Sequence, residues 1–114
     1  MCRSLALSGH HRPSFVEYAA DERFEVVHLR YNAAHTGAEQ DVFPELCAAR
    51  AGVVAFTATR WGTLLKPSLM PAGEAPLRAR DCYRFALGSS FVDVCMTGPS
   101  SAAHVDEALA ALDE

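Results

Sequence analysis

The stretch 53–59, VVAFTAT, decides the fold of this 114-residue chain. It follows Gly52, is apolar and rich in β-branched residues, and has the length of a strand. Near-continuous apolar runs of this kind are typical of buried parallel strands. Three further runs predict strands, namely SLALS (4–8), FEVVHLRY (24–31) and FVDVCM (91–96).

Helical patterns separate these predicted strands. Pro13 fits the first turn of a helix over 14–20. An apolar stripe predicts a second helix over 37–50, in which Pro44 must lie in the first turn or bend the helix. LRARDCYRFALG (77–88) predicts a third helix that ends at glycine, and the serines at 100 and 101 are candidate caps of a last one that runs to 114. Strands that alternate with helices indicate an α/β fold with a parallel sheet, so we expect one (β/α)4 half-barrel domain over residues 1–114.

The composition is that of an ordinary globular domain, with 50% hydrophobic residues, 21% charged residues and a net charge of −4. The acidic balance argues against a nucleic-acid partner, which requires a basic surface. The longest apolar run is far too short to span a membrane, and the N-terminus has no usable signal sequence. The four cysteines are widely spaced, which favours reduced thiols and a cytoplasmic location.

Four segments carry a resemblance to a known family. In order along the chain they are LALSGHH (5–11), VVHLRYNAAH (26–35), VVAFTATRWG (53–62) and VCMTGP (94–99). Together they resemble the last four strands of the aldo/keto reductases, and the resemblance covers essentially the whole chain. It implies the second half of a (β/α)8 barrel and much of a site for NADP(H).

The resemblance assigns four cofactor contacts. Ser8 matches a serine that binds the nicotinamide amide, and Phe56 matches an aromatic residue that stacks on the nicotinamide ring. Thr97 and Gly98 open the loop and helix that hold the phosphates.

The chain also departs from the family at several positions. Gly9 and His28 stand where the reductases usually have asparagine and glutamine, and Ser100 and Ser101 stand where a basic residue recognises the 2′-phosphate. The reductases take their catalytic tyrosine, lysine, aspartate and histidine from the first four strands, which this chain does not match. The resemblance therefore does not imply hydride transfer.

A half-barrel has a physical problem of its own. Its open sheet leaves two edges with unpaired backbone groups, and its inward apolar face meets water. A two-fold homodimer could pair the first strand of one chain with the last strand of the other and complete eight strands. Another helix-covered dimer, a higher oligomer and a subunit that completes another chain's barrel are the alternatives.

Histidines at the predicted barrel mouth suggest a metal site. His10 and His11 follow the first strand, His35 follows the second, and His28 is expected to point inward from that strand. Imidazoles bind zinc or another divalent transition metal, and a metal-bound water supplies hydroxide near neutral pH. With Arg60 as a candidate catalytic residue that stabilises an oxyanion, this pattern predicts a metal-dependent hydrolase of phosphoesters or phosphotriesters, acting on a small molecule.

Two other interpretations compete with the hydrolase. Adjacent histidines on an extended strand point to opposite sides, so His10 and His11 could simply cap the next helix while His35 is a solvated loop residue. The chain would then be a truncated, catalytically inactive reductase fragment with residual capacity to bind NADP(H).

Overall fold

The computed structural model describes residues 1–49 and 51–113. It contains one four-stranded sheet, and its strands lie side by side in chain order with every neighbouring pair parallel. The sheet confirms an α/β fold with a parallel sheet. The strands are β1 (Leu5–Ser8), β2 (Phe24–Arg30), β3 (Gly52–Phe56) and β4 (Val94–Cys95).

Helices connect each strand to the next, as parallel pairing requires. None of the described helices is long and apolar enough to cross a bilayer. Three short 3₁₀ turns cover Thr63–Leu65, Pro67–Leu69 and Ala110–Leu112. The α-helices are α1 (Arg12–Ala19), α2 (Ala38–Asp41), α3 (Phe43–Ala49), α4 (Ala79–Leu87) and α5 (Ala102–Leu109).

Four elements differ from the sequence prediction. Strand β3 ends at Phe56 instead of Thr59, since the backbone turns at Thr57, whose φ is 57°. The helix predicted over 37–50 is divided at Val42 into α2 and α3, and Pro44 lies in the first turn of α3, where its missing N–H is tolerated. Strand β4 has two residues instead of the six predicted, and Asp93 just before it bonds Val53 through its side chain and its backbone N–H. The last helix ends in a 3₁₀ turn, and positions 50 and 114 of the predicted helices lie outside the described residues.

The hydrophobic core lies on one face of the sheet. Val27 and Leu29 of β2 and Val53 and Ala55 of β3 are buried on this face. They pack against apolar side chains of α1, α3 and α4, which include Phe15, Phe43 and Ala86. The alternation of side chains along each strand therefore directs every second residue into the helix layer.

The opposite face of the sheet is open. Val26, His28, Val54 and Phe56 are only half-buried there, and Val94 is exposed. No described side chain on this face reaches full burial, although most of it is apolar. Within the described residues β1 pairs only with β2, and β4 pairs only with β3, so both edges of the sheet are free.

Candidate functional site

A cleft of about 540 Å³ lies at the carboxyl end of β3 and β4. Parallel strands bring the loops that follow them to one edge of the sheet, and ligand sites of α/β proteins form at that edge. The volume is within the range of small-molecule sites. Its walls are the loop after β3, one side of α4 and of α5, and the loop between β4 and α5. The lining residues are Thr57, Ala58, Thr59, Trp61, Gly62, Leu65, Ala79, Tyr83, Met96, Thr97, Gly98, Pro99, Ser100, His104 and Glu107.

The loop after β3 has an unusual backbone. Thr57, Arg60 and Trp61 all adopt positive φ angles, of 57°, 51° and 54°, and Gly62 follows at 79°. Such conformations cost a non-glycine residue on the order of 1 kcal/mol each, and they concentrate at functional sites. Two of these strained residues line the cleft, and the Trp61 side chain there is 66% exposed.

Asn32 fixes this loop from the neighbouring strand. It is the fully buried polar side chain of the described residues, with 0% exposure. Its Nδ2 donates to the carbonyl of Thr57 at 2.9 Å, and its Oδ1 accepts from the N–H of Ala34 at 3.0 Å. Because a buried amide must satisfy its hydrogen bonds, Asn32 holds the ends of β2 and β3 in a fixed relation.

The first turn of α5 forms the opposite wall. Ser101 is its N-cap, and its Oγ accepts from the N–H of His104 at 3.2 Å. The His104 Nδ1 lies 3.1 Å from the Ser100 Oγ. Thr97 and Gly98, which the resemblance assigned to the phosphates, line the cleft just before this turn. Nothing lies within 4 Å of a Cβ built on Gly98, so the loop is open toward the cleft.

Two ionisable side chains complete the cleft. Glu107 of α5 accepts from the N–H of Ala79 at 3.1 Å, at the start of α4. Tyr83 of α4 is half-buried, and this burial raises the pKa of its phenol. No lysine or arginine is among the residues that line the cleft.

The four candidate metal ligands do not form a cluster. His10 packs edge-on against Phe56 with 5.6 Å between ring centroids, and His11 is the N-cap of α1 with its Nδ1 3.0 Å from the Ser14 Oγ. His28 lies on the open face beside Ser8 and Val54. Among the side chains that the structure describes, no group of three His, Cys, Asp or Glu residues could hold a metal ion.

His35 differs from the other candidates. Its backbone forms an antiparallel bridge to Asn32, and its Nδ1 is buried without a hydrogen-bond partner. Burial lowers the pKa of this imidazole, and the positive charges of Arg30, Arg60 and Arg12 lower it further. Burial and these charges therefore disfavour the protonated ring, and its Nδ1 has no hydrogen-bond partner.

The remaining predicted site residues are dispersed. Arg60 is exposed and lines a separate cavity of about 260 Å³. Phe56 directly precedes Thr57 of the cleft but lies on the open face, and Ser8 ends β1 at the same edge of the sheet. The structure thus brings Thr97 and Gly98 into one cleft and leaves Ser8, Phe56 and Arg60 outside its walls.

The sequence analysis missed His104 and Glu107. Both lie on the predicted last helix, to which the sequence patterns assigned no site residue. The signal that could have found them is their position behind the cap, since Ser101 precedes His104 by three residues and Glu107 by six. His104 and Glu107 are three residues apart, so their side chains are neighbours on the surface of the helix.

The comparisons with protein-family models and with curated proteins give no relative of this chain. No protein-family model matches it, and no curated protein matches its sequence. The relationship to the aldo/keto reductases therefore stays a prediction from the four quoted segments.

Proposed function

We propose that this chain is a nucleotide-binding half-barrel, in which the cleft at the carboxyl end of β3 and β4 binds the phosphates of a dinucleotide of the NAD(P)H type. The observation that carries the proposal is the cleft of about 540 Å³ whose walls include Thr97 and Gly98 together with His104 of the first turn of α5. Thr97 and Gly98 are the residues that the reductase resemblance assigns to phosphate binding.

The first turn of α5 supplies the donors that a phosphate needs. The N–H groups of Ala102 and Ala103 lie in the first turn, where the helix itself offers no carbonyl partner. Together with the helix dipole, such groups favour an anion. His104 adds an imidazole, whose ring N–H is a further hydrogen-bond donor at the cleft.

Other features of the cleft limit its affinity for a dinucleotide. Glu107 brings a negative charge, although its carboxylate is engaged with the start of α4. Since no lysine or arginine lines the cleft, nothing there discriminates in favour of a 2′-phosphate. We therefore expect NADH and NADPH to bind with similar affinities.

Phe56 supplies an aromatic ring on which the nicotinamide ring of the ligand can stack. Its ring is half-buried at the end of β3, adjacent in sequence to Thr57 of the cleft. His10 packs against this ring in a T-shaped arrangement with 5.6 Å between the centroids, and a T-shaped partner covers at most one face of Phe56. The proposal concerns binding alone, because the catalytic residues of the reductases belong to strands that this chain does not match.

Calorimetric titration with NADH, NADPH and ADP tests the proposal. Gly98→Asp places a carboxylate in the open loop of the cleft, where a Cβ meets no neighbour, so the fold is expected to stay intact. We expect it to weaken binding of all three ligands by about tenfold or more, which corresponds to about 1.4 kcal/mol. Ala72→Asp adds the same charge to an exposed loop outside the cleft and is expected to leave binding unchanged. No binding by the unmodified chain at millimolar ligand would refute the proposal.

The metal-dependent hydrolase stays a prediction, and His35 is the observation that favours it. A neutral imidazole with an unsatisfied Nδ1 is a competent ligand, but the described residues of one chain do not add two more. Ligands from a second chain would be required. Elemental analysis of untagged protein tests this, because near-stoichiometric zinc or manganese that His35→Ala abolishes is expected of the hydrolase, and a metal-free chain that takes up none excludes it.

A further inference from the structure

The two free edges of the sheet each carry exposed apolar side chains on the helix-covered side. At the β1 edge, Leu5 is 49% exposed, and Leu7 packs against the core of its own chain with part of its side chain still exposed. At the β4 edge, Cys95 faces the same layer next to a groove of about 230 Å³. The groove's other wall is α5 and the turn after it, where Val105, Leu109 and Leu112 share one helical face.

The groove follows from the architecture. In a strand–helix barrel, each helix packs over its own strand and over the next strand of the sheet. Helix α5 follows β4, and among the residues that the structure describes no strand pairs with β4 on the side away from β3. The apolar face of α5 consequently stays open, with Leu109 57% and Leu112 70% exposed.

The exposed surface is larger than that of a compact monomer. A folded monomer of 12.3 kDa is expected to expose about 6,100 Å², whereas this chain exposes 7463 Å². The excess of about 1,400 Å² is more than the ~800 Å² that each partner contributes to a standard interface. The radius of gyration, 15.1 Å, also exceeds the roughly 13 Å of a compact domain of this length.

We propose that a second copy of this chain docks on these edges, so that β1 of each copy pairs with β4 of the other while Leu5 and Leu7 enter the groove beneath Leu109. This inference goes beyond the nucleotide-binding proposal and does not depend on it. The dimer has two seams, each formed by β1 of one copy and β4 of the other. In both seams the strands are parallel, as in the strand pairs within one chain. Two copies supply eight strands, the number at which a barrel's interior is just filled by side chains, so the assembly closes at a dimer.

The closed dimer also covers the open face. Val26, Val54 and Val94 from both copies meet inside the barrel, which removes them from water. His28 and Arg30 come from the same face toward the carboxyl end, where a barrel places its polar residues.

Sedimentation velocity over a range of protein concentrations gives the first test. The unmodified chain is expected to sediment with twice the chain mass of 12.3 kDa. Leu109→Glu puts a charge into the groove and is expected to weaken the dimer by about tenfold or more. Leu69→Glu is the matched control, since Leu69 is 56% exposed in a loop away from both edges, and it is expected to leave the dimer unchanged. Circular dichroism verifies that each variant is folded, and Val105→Glu replaces Leu109→Glu if the latter is not.

A mixing experiment distinguishes this geometry from other dimers. The dimer has two equivalent seams, each of which joins α5 of one copy to β1 of the other. Leu5→Glu and Leu109→Glu each damage both seams in their own homodimers. A one-to-one mixture forms heterodimers in which one seam carries both substitutions and the other is unmodified, so the mixture is expected to dimerise more tightly than either variant alone.

Three results would overturn the inference. A monomeric unmodified chain at all concentrations would mean that the edges are covered by something other than a second copy. An equal loss of dimer in Leu69→Glu and Leu109→Glu would place the interface elsewhere. A mixture no tighter than its components would rule out the exchange of edges between copies.

Discussion

The carboxylate of Glu107 accepts a hydrogen bond from the backbone N–H of Ala79, with 3.1 Å between the two atoms. It joins the middle of α5 to the beginning of α4, whose first N–H groups have no partner within the helix. The same two residues line the cleft. The spacing of the cleft's helical walls is therefore set by a side chain that also contributes the cleft's negative charge.

Substitutions of Glu107 are expected to separate the contribution of its hydrogen bond to stability from the effect of its negative charge on ligand binding. Glu107→Gln keeps an acceptor for Ala79 and removes the charge, so we expect an unchanged free energy of unfolding and tighter NADH binding. Glu107→Ala removes the acceptor as well and is expected to cost about 1 kcal/mol of stability, the typical value of a helix cap. Urea unfolding and calorimetry measure the two quantities. If Glu107→Gln binds NADH less tightly than the unmodified chain, the carboxylate is not a repulsive element of the cleft.

Ser101 allows a similar comparison at the opposite wall. Its Oγ caps α5 through the N–H of His104, so Ser101→Ala is expected to lower the free energy of unfolding by about 1 kcal/mol. Ser101→Asp retains a capping oxygen, and its negative charge suits the helix N-terminus, so stability is expected to be kept. The same charge competes with a bound phosphate, so nucleotide affinity falls in Ser101→Asp. Equal affinity in Ser101→Asp and the unmodified chain would show that no anion binds at this turn.

The fold class was predictable because its signal is local. The apolar run at 53–59 and the regular exchange of strand and helix patterns determine a parallel sheet without any knowledge of contacts. The length of β4 was not predictable, because FVDVCM has strand character throughout. Its first half is instead held by Asp93, which bonds Val53 across the sheet, and a pairing between positions forty residues apart leaves no periodic signal.

The candidate site was predictable only in part. Thr97 and Gly98 come from the resemblance, and the structure places both in the cleft. The histidines were grouped because they follow neighbouring strands, but strand order fixes only the edge at which a side chain lies. His11 is instead the N-cap of α1, and His10 packs on Phe56. The direction of each histidine side chain, and the distances between the imidazole rings, depend on loop conformations that no short-range sequence pattern encodes.

Tyr31 makes an alkaline-dependent contribution to stability. Its hydroxyl donates to the Glu39 carboxylate, and burial together with this bond raises the pKa of Tyr31 to about 12. An ordinary phenol titrates near pH 10. The unfolded chain therefore loses its proton first, and the stabilisation that is complete below pH 10 disappears as the pH rises to about 12.

Tyr31→Phe is the variant that detects this contribution. We expect it to lower the free energy of unfolding by about 1 kcal/mol at pH 8, the value of one hydrogen bond, and by less with each step toward pH 12. Tyr18→Phe is the control, because Tyr18 is 57% exposed and is expected to have no effect at either pH. Urea unfolding at several alkaline pH values gives the comparison. A difference between Tyr31→Phe and the unmodified chain that stays constant up to pH 12 would contradict the assignment.

Cys95 reports on the groove at the β4 edge. Burial raises the pKa of its thiol to about 11, with a further contribution from Cys82. At pH 8 only about one thiol in a thousand would be ionised at this pKa, and the thiolate is the reactive form. Cys2, in contrast, is exposed and free. In variants that retain a single cysteine, Cys95 is therefore expected to react with a disulfide reagent about a hundredfold or more slowly than Cys2.

The same measurement responds to the proposed dimer. Cys95 lines the groove that Leu5 and Leu7 of a second copy would fill, so occupation of the groove shields the thiol further. Adding Leu109→Glu to the variant that retains only Cys95 is expected to accelerate its modification, whereas Leu69→Glu is expected to have no effect. Because Leu109 and Leu69 are almost equally exposed, a shared acceleration would indicate a general loosening of the fold. An acceleration confined to Leu109→Glu identifies the groove itself as the surface that dissociation uncovers.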